Sequence, residues 1–248
     1  MNELLFICVF DAGSRDLGLN HLQSLKNAGI ENYMAYVPDK RTYGIVKNRG
    51  FNVEMIEGDD LSTTKKEFGT KDFIEFSFLR YKVIHENLKK GKDVWYMDAD
   101  TVVLENLNKF YHADYVGKGY DVIFQNDLHE INGCTGCMLM FSNQKMIDAS
   151  LYMYKGMNTK VPDQHFMHNF LSNNRNHLNP ALFDYMYFPN GVLYFDHLGE
   201  NQLPPRINEY KMKYILTPGK RIVFVHANWM IGNDTKMAAL KSKSLWYI

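Results

Sequence analysis

The sequence predicts an α/β fold: one domain around a central, mostly parallel sheet. Three observations carry that reading. Strand-length apolar runs alternate with stretches of helical periodicity through the N-terminal part of the chain, the pattern of strand–helix–strand units. Gly29, Pro38 and Gly91 punctuate those runs where helices or strands should end. A fourth run, Val94-Trp95-Tyr96-Met97, stops at Asp98 and Asp100. Polar groups at a strand's carboxyl end mark where open α/β sheets bind ligands.

The elements follow in order. Residues 4–10 are an apolar first strand. Residues 16–28 carry Leu17, Leu19, Leu22 and Leu25 and end at Gly29, which predicts a helix. Residues 32–37 and 51–56 read as the second and third strands, the former closed by Pro38-Asp39. Residues 73–90 form the clearest helix, with Phe76, Leu79, Val83, Ile84 and Leu88 near helical spacing and Gly91 just beyond. Residues 93–97 are the strand that feeds the two carboxylates. The texture then changes. Residues 121–125 and 137–141 read as strands, 145–153 and 162–171 as helices, the latter with Pro162 in its first turn. Gln125-Asn126-Asp127 reads as the turn after a strand, and Thr135-Gly136 as a tight turn before one. Residues 173–205 are rich in Asn, Pro, Tyr and Phe and poorly periodic. Residues 221–226 are a last strand, followed after Trp229 by a loop and a helix. No repeat or low-complexity linker divides the chain, so residues 1–248 form a single domain.

Composition narrows the class. Hydrophobic residues make up 46% of the 248 residues and charged residues 23%, as in soluble globular enzymes. A net charge of zero gives no electrostatic footprint for nucleic acid or an anionic membrane. The Lys65-Lys66 and Lys89-Lys90 pairs read as solvated helix faces. The apolar run at residues 4–10 is too short for a signal peptide or a span and has no basic region before it. The expectation is a cytoplasmic protein without a transmembrane anchor. Cys8, Cys134 and Cys137 offer one Cys-x-x-Cys spacing and no second pair, so buried free thiols are expected, a redox pair being the alternative.

Residues i and i+2 of a strand face the same side, so Asp98 and Asp100 can converge on one point. Two hard oxygen ligands at a strand mouth suit Mg²⁺ or Mn²⁺, with the other positions left to water and phosphate. The same pair could instead cap the strand and open a turn. Asp11-Ala12-Gly13 follows the first strand, Asp39 the second, and His226 ends the last.

Four blocks together resemble the GT-A-fold glycosyltransferases that use nucleotide-diphospho-sugars, with plant cell-wall xylosyltransferases and glycogenin-like enzymes the nearest groups. They are Leu79-Arg80-Tyr81-Lys82, the DxD motif Asp98-Ala99-Asp100, Thr135-Gly136 followed by an apolar strand and then Asp163-Gln164, and the segment from His226 through Asn228 and Gly232 to Lys236. The resemblance implies a transferase moving a sugar from a nucleotide donor, UDP-linked by family habit, to a glycan or glycoconjugate hydroxyl with retention. It implies Mn²⁺ or Mg²⁺ held by Asp98, Asp100 and His226. It divides the chain into a nucleotide-binding half, residues 1–100, and a donor-sugar and acceptor half, residues 101–248.

It also implies roles for the other matched positions. Gly232 would let backbone approach a phosphate that Lys236 neutralises, although the gap from His226 to Gly232 is longer here than in glycogenin-like enzymes. Lys82 or Arg80 would contact the donor. Asp11, Ala12, Gly13 and Asp39 would meet the nucleoside. Ala99 and Asn228 lie inside the matched motifs, and Thr135 and Gly136 would line the donor-sugar pocket. Asp163 and Gln164, or Asp127, would act on the far side of the sugar. Residues 173–205 would shape the acceptor site. Eukaryotic members of the family it resembles usually carry an N-terminal membrane anchor; the expectation here is a microbial or large-DNA-virus enzyme working in the cytosol, of unassigned oligomeric state.

The main alternative is a haloacid-dehalogenase-like phosphatase with Asp98 as nucleophile and Asp100 as acid/base, which would share the apolar-Asp-x-Asp-x-Val pattern. That family opens its domain with the motif and adds a later acidic pair; here Gly58-Asp59-Asp60 precedes it instead. A dinucleotide-dependent oxidoreductase is disfavoured because Asp11-Ala12-Gly13-Ser14 lacks the glycine fingerprint. A transferase relative without turnover is a third alternative, against which the complete Asp98, Asp100 and His226 set argues.

Overall fold

The computed structural model describes residues 2–56, 70–129, 132–156, 161–173, 178–195, 216 and 219–248. Lys65-Lys66, Gly58-Asp59-Asp60 and much of the 173–205 stretch lie outside the described residues.

Strands β1 (Glu3–Val9), β2 (Tyr33–Val37), β3 (Val53–Met55) and β4 (Lys92–Met97) form the parallel half of the sheet, with helices α1 (Arg15–Asn27), α2 (Lys40–Asn48) and α3 (Lys71–Lys89) between them. β5 (Thr101–Val103) leaves that sheet. A short turn, α4 (Asn108–Phe110), and a π turn over Tyr111–Tyr115 lead to β6 (Val122–His129) and β7 (Asn132–Met140). Then come α5 (Gln144–Lys155), α6 (Asp163–Ser172), β8 (Pro180–Leu182), α7 (Gly191–Tyr194), β9 (Phe224–His226) and α8 (Asn233–Ser242). The seven strands of the main sheet run in the order β3-β2-β1-β4-β7-β6-β8. Only the β4–β7 and β6–β7 pairings are antiparallel, so the sheet is mostly parallel. β5 and β9 pair antiparallel in a second, small sheet.

Burial on both faces explains why the central strands read as unbroken apolar runs. In β1, Leu4, Phe6 and Cys8 join one core with Leu19, Leu22 and Leu25 of α1, while Leu5, Ile7 and Val9 join the other with Phe78, Val83 and Leu88 of α3. Each fully buried side chain of this size contributes about 1.5–3 kcal/mol. Trp95 centres the first core, stacked between Phe6 and Phe183 at 5.5 and 5.3 Å. A third cluster joins Leu17 of α1, Val102 of β5, Val225 of β9 and Leu240 of α8, which fixes the C-terminal helix over the small sheet.

Two expected turns prove to be strand. Gln125, Asn126 and Asp127 continue β6, and Thr135 and Gly136 lie within β7. Their polarity reads as loop, but Gln125, Asn126, Asp127 and Thr135 are all buried. Groups from other elements take up the side chains of Gln125 and Asp127, and the Thr135 carbonyl accepts from Arg80. α2 and β8 were not expected. α2 is short, and its start at the Asp39 cap lies directly after Pro38-Asp39, which reads only as the end of a strand.

Candidate active site

β4 ends at Met97, and the chain turns through Asp98 and Asp100 into β5. The Asp98 amide donates to the Gly136 carbonyl at 2.8 Å, tying this turn to β7. The Thr101 hydroxyl donates to the Asp98 carbonyl at 2.8 Å and accepts from His21 Nδ1 of α1 at 2.9 Å. In the small sheet Thr101 stands opposite His226, and the Ala227 amide donates to the Asp100 carbonyl at 2.9 Å. This three-pair ladder brings a distant histidine to the carboxylates.

One ligand atom each from Asp98, Asp100 and His226 lies within 4.8 Å of the others. Asp98 accepts from the Tyr96 hydroxyl at 2.7 Å and lies 3.1 Å from Arg80 Nη1, both on Oδ1. Its Oδ2 faces Gly136. A Cβ at position 136 would lie 2.5 Å from Asp98 Oδ2 and 2.6 Å from His226 Cε1, so any larger residue would fill the space between two of the three groups. Asp100 accepts from Lys236 Nζ at 2.7 Å on Oδ2, and its Oδ1 lies 3.2 Å from His226 Nε2. Burial raises the Asp100 carboxyl, but Lys236 and His226 outweigh it and hold the group far below the usual carboxylate range. Burial lowers Lys236, and Asp100 more than reverses that, so its ammonium is favoured. Two oxygens, one imidazole nitrogen and a cradle kept open by a glycine fit a divalent cation of the Mn²⁺ type.

Arg80 is buried at the edge of this cluster. Its guanidinium lies over the Tyr96 ring at 4.9 Å, donates to the Thr135 carbonyl at 3.0 Å, and lies 3.7 Å from Asp163 Oδ2. Burial alone would lower it; the surrounding negative groups, Asp98 first, hold it raised. Lys82 is half-buried, two residues further along α3. Positions two apart on a helix differ by about 200°, so Arg80 and Lys82 cannot share one face, and Arg80 is the one in the cluster.

A second group of polar side chains surrounds Asp127. Trp229 Nε1 and Asn228 Nδ2 lie 2.7 and 3.4 Å from its Oδ1, and Gln164 Nε2 donates to its Oδ2 at 2.9 Å. Asn228 Oδ1 accepts from the Gly191 amide at 2.6 Å. Trp229 has φ 66°, a left-handed conformation costing about 1–3 kcal/mol in a non-glycine residue, and that conformation aims its indole at Asp127. Asp163, at the start of α6, accepts from the Tyr81 hydroxyl at 3.3 Å. Cys134 links the two groups: its Sγ lies 4.0 Å from His226 Nδ1 and 3.8 Å from Asn228 Nδ2. Burial and then the Asp127 charge push its thiol well above the usual range. All three cysteines are buried and free.

The remaining expected residues lie at neighbouring strand ends. Asp11 Oδ1 accepts from the Ser14 amide and hydroxyl at 3.0 and 2.9 Å, closing the loop before α1. Ala12 and Gly13 line a cleft with Leu17, Asn233 and Met237, and Asn233 Nδ2 donates to the Gly13 carbonyl at 2.6 Å. Asp39 caps α2 through Oδ1, 2.8 Å from the Thr42 amide, while its Oδ2 is buried without a hydrogen-bond partner. Gly232 has φ +86° at the start of α8, and a Cβ there would meet nothing within 4 Å. Its glycine therefore answers a backbone need and not a crowded contact. Ala99, between the carboxylates, packs against the hydrophobic cores.

Sequence reasoning missed Gln125, His21, Tyr96 and Trp229 as parts of the site. Gln125 and His21 did leave a signal: a lone amide after Val122-Ile123-Phe124, and a histidine among the leucines of α1. Trp229 left none, because its role depends on a positive φ.

Comparisons with known proteins agree with this architecture. Residues 28–240 match the family model described as nucleotide-diphospho-sugar transferase. The UDP-D-xylose:L-fucose alpha-1,3-D-xylosyltransferase of Arabidopsis thaliana is 25% identical, covering 75% of this chain and 53% of that protein. The chain thus spans about half the length of the curated relatives it matches. Among solved structures, the galactosyltransferase LgtC, in complex with donor and acceptor sugar analogues, aligns with a TM-score of 0.62 at 12% identity, covering 98% of this chain and 95% of that one. A glycosyltransferase involved in glycosylation of the major capsid of PBCV-1 aligns with a TM-score of 0.57 at 10% identity, covering 96% and 99%. These neighbours share the GT-A fold. None of the matches supports the phosphatase alternative, and the geometry opposes it: both Asp100 oxygens face Lys236 or His226. Among the described residues, no helix is long and apolar enough to cross a membrane.

Proposed function

The chain belongs to the nucleotide-diphospho-sugar transferase family, and from that premise we propose a metal-dependent glycosyltransferase that moves a sugar from a UDP-linked donor to a glycan hydroxyl with retention. The observation that carries this reading is the convergence of Asp98, Asp100 and His226 around a space that Gly136 keeps open. The UDP-linked donor in the name of the xylosyltransferase relatives supports the choice of nucleotide.

Asp98, Asp100 and His226 would hold Mn²⁺ or Mg²⁺. Bound there, the cation would supply Lewis-acid neutralisation of the diphosphate leaving group. Lys236, already turned into the cluster by Asp100, would add a second positive charge where negative charge develops. Such contacts favour the transition state over the ground state and supply several kcal/mol in a dry site. Asp11, Ala12, Gly13 and Asp39 would meet the nucleoside, and the unpartnered Asp39 Oδ2 suits a ribose or base donor. Gly232 would shape the loop that carries Asn233 to the phosphate side. Arg80, Thr135, Gly136 and Asp163 would bound the donor sugar, with Lys82 on another face of α3.

Asp127, Gln164 and Asn228 would face the acceptor. Their mutual hydrogen bonds make Asp127 a fixed, occupied carboxylate that orients a hydroxyl, which supports retention over general-base inversion.

Thermal-shift titration with UDP, GDP and their sugars, with and without Mn²⁺, tests this reading. A ligand bound only by the folded state raises the melting temperature. Stabilisation by UDP that requires Mn²⁺ is expected. Stabilisation by no nucleotide, with or without metal, would remove both the donor and the cation from the proposal.

A further inference from the structure

We propose that Gln125 is a positioning residue: it holds His226 in the tautomer with hydrogen on Nδ1, so that Nε2 presents its lone pair beside Asp98 and Asp100. The inference rests on the metal reading above. Gln125 is completely buried on β6, directly after a register shift between Phe124 and Gln125. Its Nε2 lies 2.9 Å from the Pro189 carbonyl and 3.4 Å from the Phe188 carbonyl. Carbonyl oxygens only accept, so the amide nitrogen must face them. The amide oxygen is thereby turned to His226 Nδ1, 2.7 Å away across 101 positions of sequence.

An amide oxygen also only accepts, so Nδ1 must carry the hydrogen. In the neutral ring the lone pair then sits on Nε2, which faces Asp100 Oδ1 at 3.2 Å. Two lone pairs at that distance repel unless a cation or a proton lies between them. The tautomer is thus dictated by two backbone carbonyls of the segment before α7, relayed through one side chain. Metal-bound histidines depend on such partners for orientation and basicity. The neighbouring Cys134 Sγ, 4.0 Å from Nδ1, is too weak an acceptor to take over.

The test compares wild type, Gln125→Leu and Gln125→Glu. Imidazole nitrogen NMR of the metal-free proteins, above the histidine titration range, reads the tautomer; electron paramagnetic resonance reads Mn²⁺ affinity. Wild type is expected to show hydrogen on Nδ1. Gln125→Leu should mix the tautomers and weaken Mn²⁺ about 10–100-fold, while Gln125→Glu, which keeps an accepting oxygen toward Nδ1 but loses the N–H donated to Pro189 and Phe188, should keep hydrogen on Nδ1. Hydrogen on Nε2 in the wild type, or Mn²⁺ affinity unchanged in a folded Gln125→Leu, overturns the proposal. If the Leu variant does not fold, the wild-type and Glu spectra decide. Hydrogen on Nδ1 without any Mn²⁺ binding would sink the metal reading and leave the tautomer assignment standing.

Discussion

Asp100 and Asp127 are both buried, at 6% and 5% exposure, but their charges are met in opposite ways. Asp100 sits between an ammonium and an imidazole. Asp127 sits among neutral N–H donors from Trp229, Asn228 and Gln164. Attraction to cations is strong and weakly directional, so one cation can replace or join another around Asp100. Hydrogen bonds from indole and amide groups are directional, so they fix the orientation of Asp127. One end of this polar cluster is built to exchange charge, and the other to hold a shape.

Three experiments bear on that contrast. Asp100→Ala should have the largest effect. It removes the carboxylate shared by Lys236 and His226, and metal-dependent donor hydrolysis should fall by about 10³-fold or more, on the scale of several kcal/mol, with the circular-dichroism spectrum retained. Full activity in that variant would erase the distinction between the two ends.

The second concerns the floor under the cation end, where His21 contacts Thr101. Burial lowers the His21 pKa from 6.5 to about 4, against raising contributions from the Thr101 carbonyl, Asp100 and Asp98 and a lowering one from His226. The unfolded chain therefore binds this proton more readily. Stability contributed here is fully present above about pH 6.5 and is lost as pH falls toward 4, at most about 3 kcal/mol. Urea titrations across that range should show a steeper acid loss for wild type than for His21→Gln. Parallel curves would place the acid sensitivity elsewhere.

The smallest effect is expected at the neutral end. Asp127→Asn preserves size but removes charge and turns one acceptor into a donor facing donors. Turnover should drop about 10²-fold while Mn²⁺ affinity stays at the wild-type level. A parallel loss of metal binding would show that the two ends are one coupled unit.

The N-terminal half of the fold was legible because its physics is local. In β1 and β4, burial on both faces makes the runs apolar, and in α3 the helical period recurs for 19 residues. The 125–127 and 135–136 segments misled for the same reason reversed. Their polar residues are satisfied by partners remote in sequence, and a local reading assigns unsatisfied polarity to loops.

By itself the sequence determined that two carboxylates follow a buried strand of an α/β domain, since an apolar run and its end are properties of adjacent residues; the turn after β4, and not strand alternation, brings the two together. Only the tertiary structure decided what those carboxylates meet. The β5–β9 ladder sets His226 opposite Thr101, α8 delivers Lys236 from 136 positions away, and β6 turns one amide toward the histidine ring. Hydrogen bonds and ion pairs act over a few ångströms of space whatever the distance along the chain, so these partners became visible only once the chain had folded back on itself.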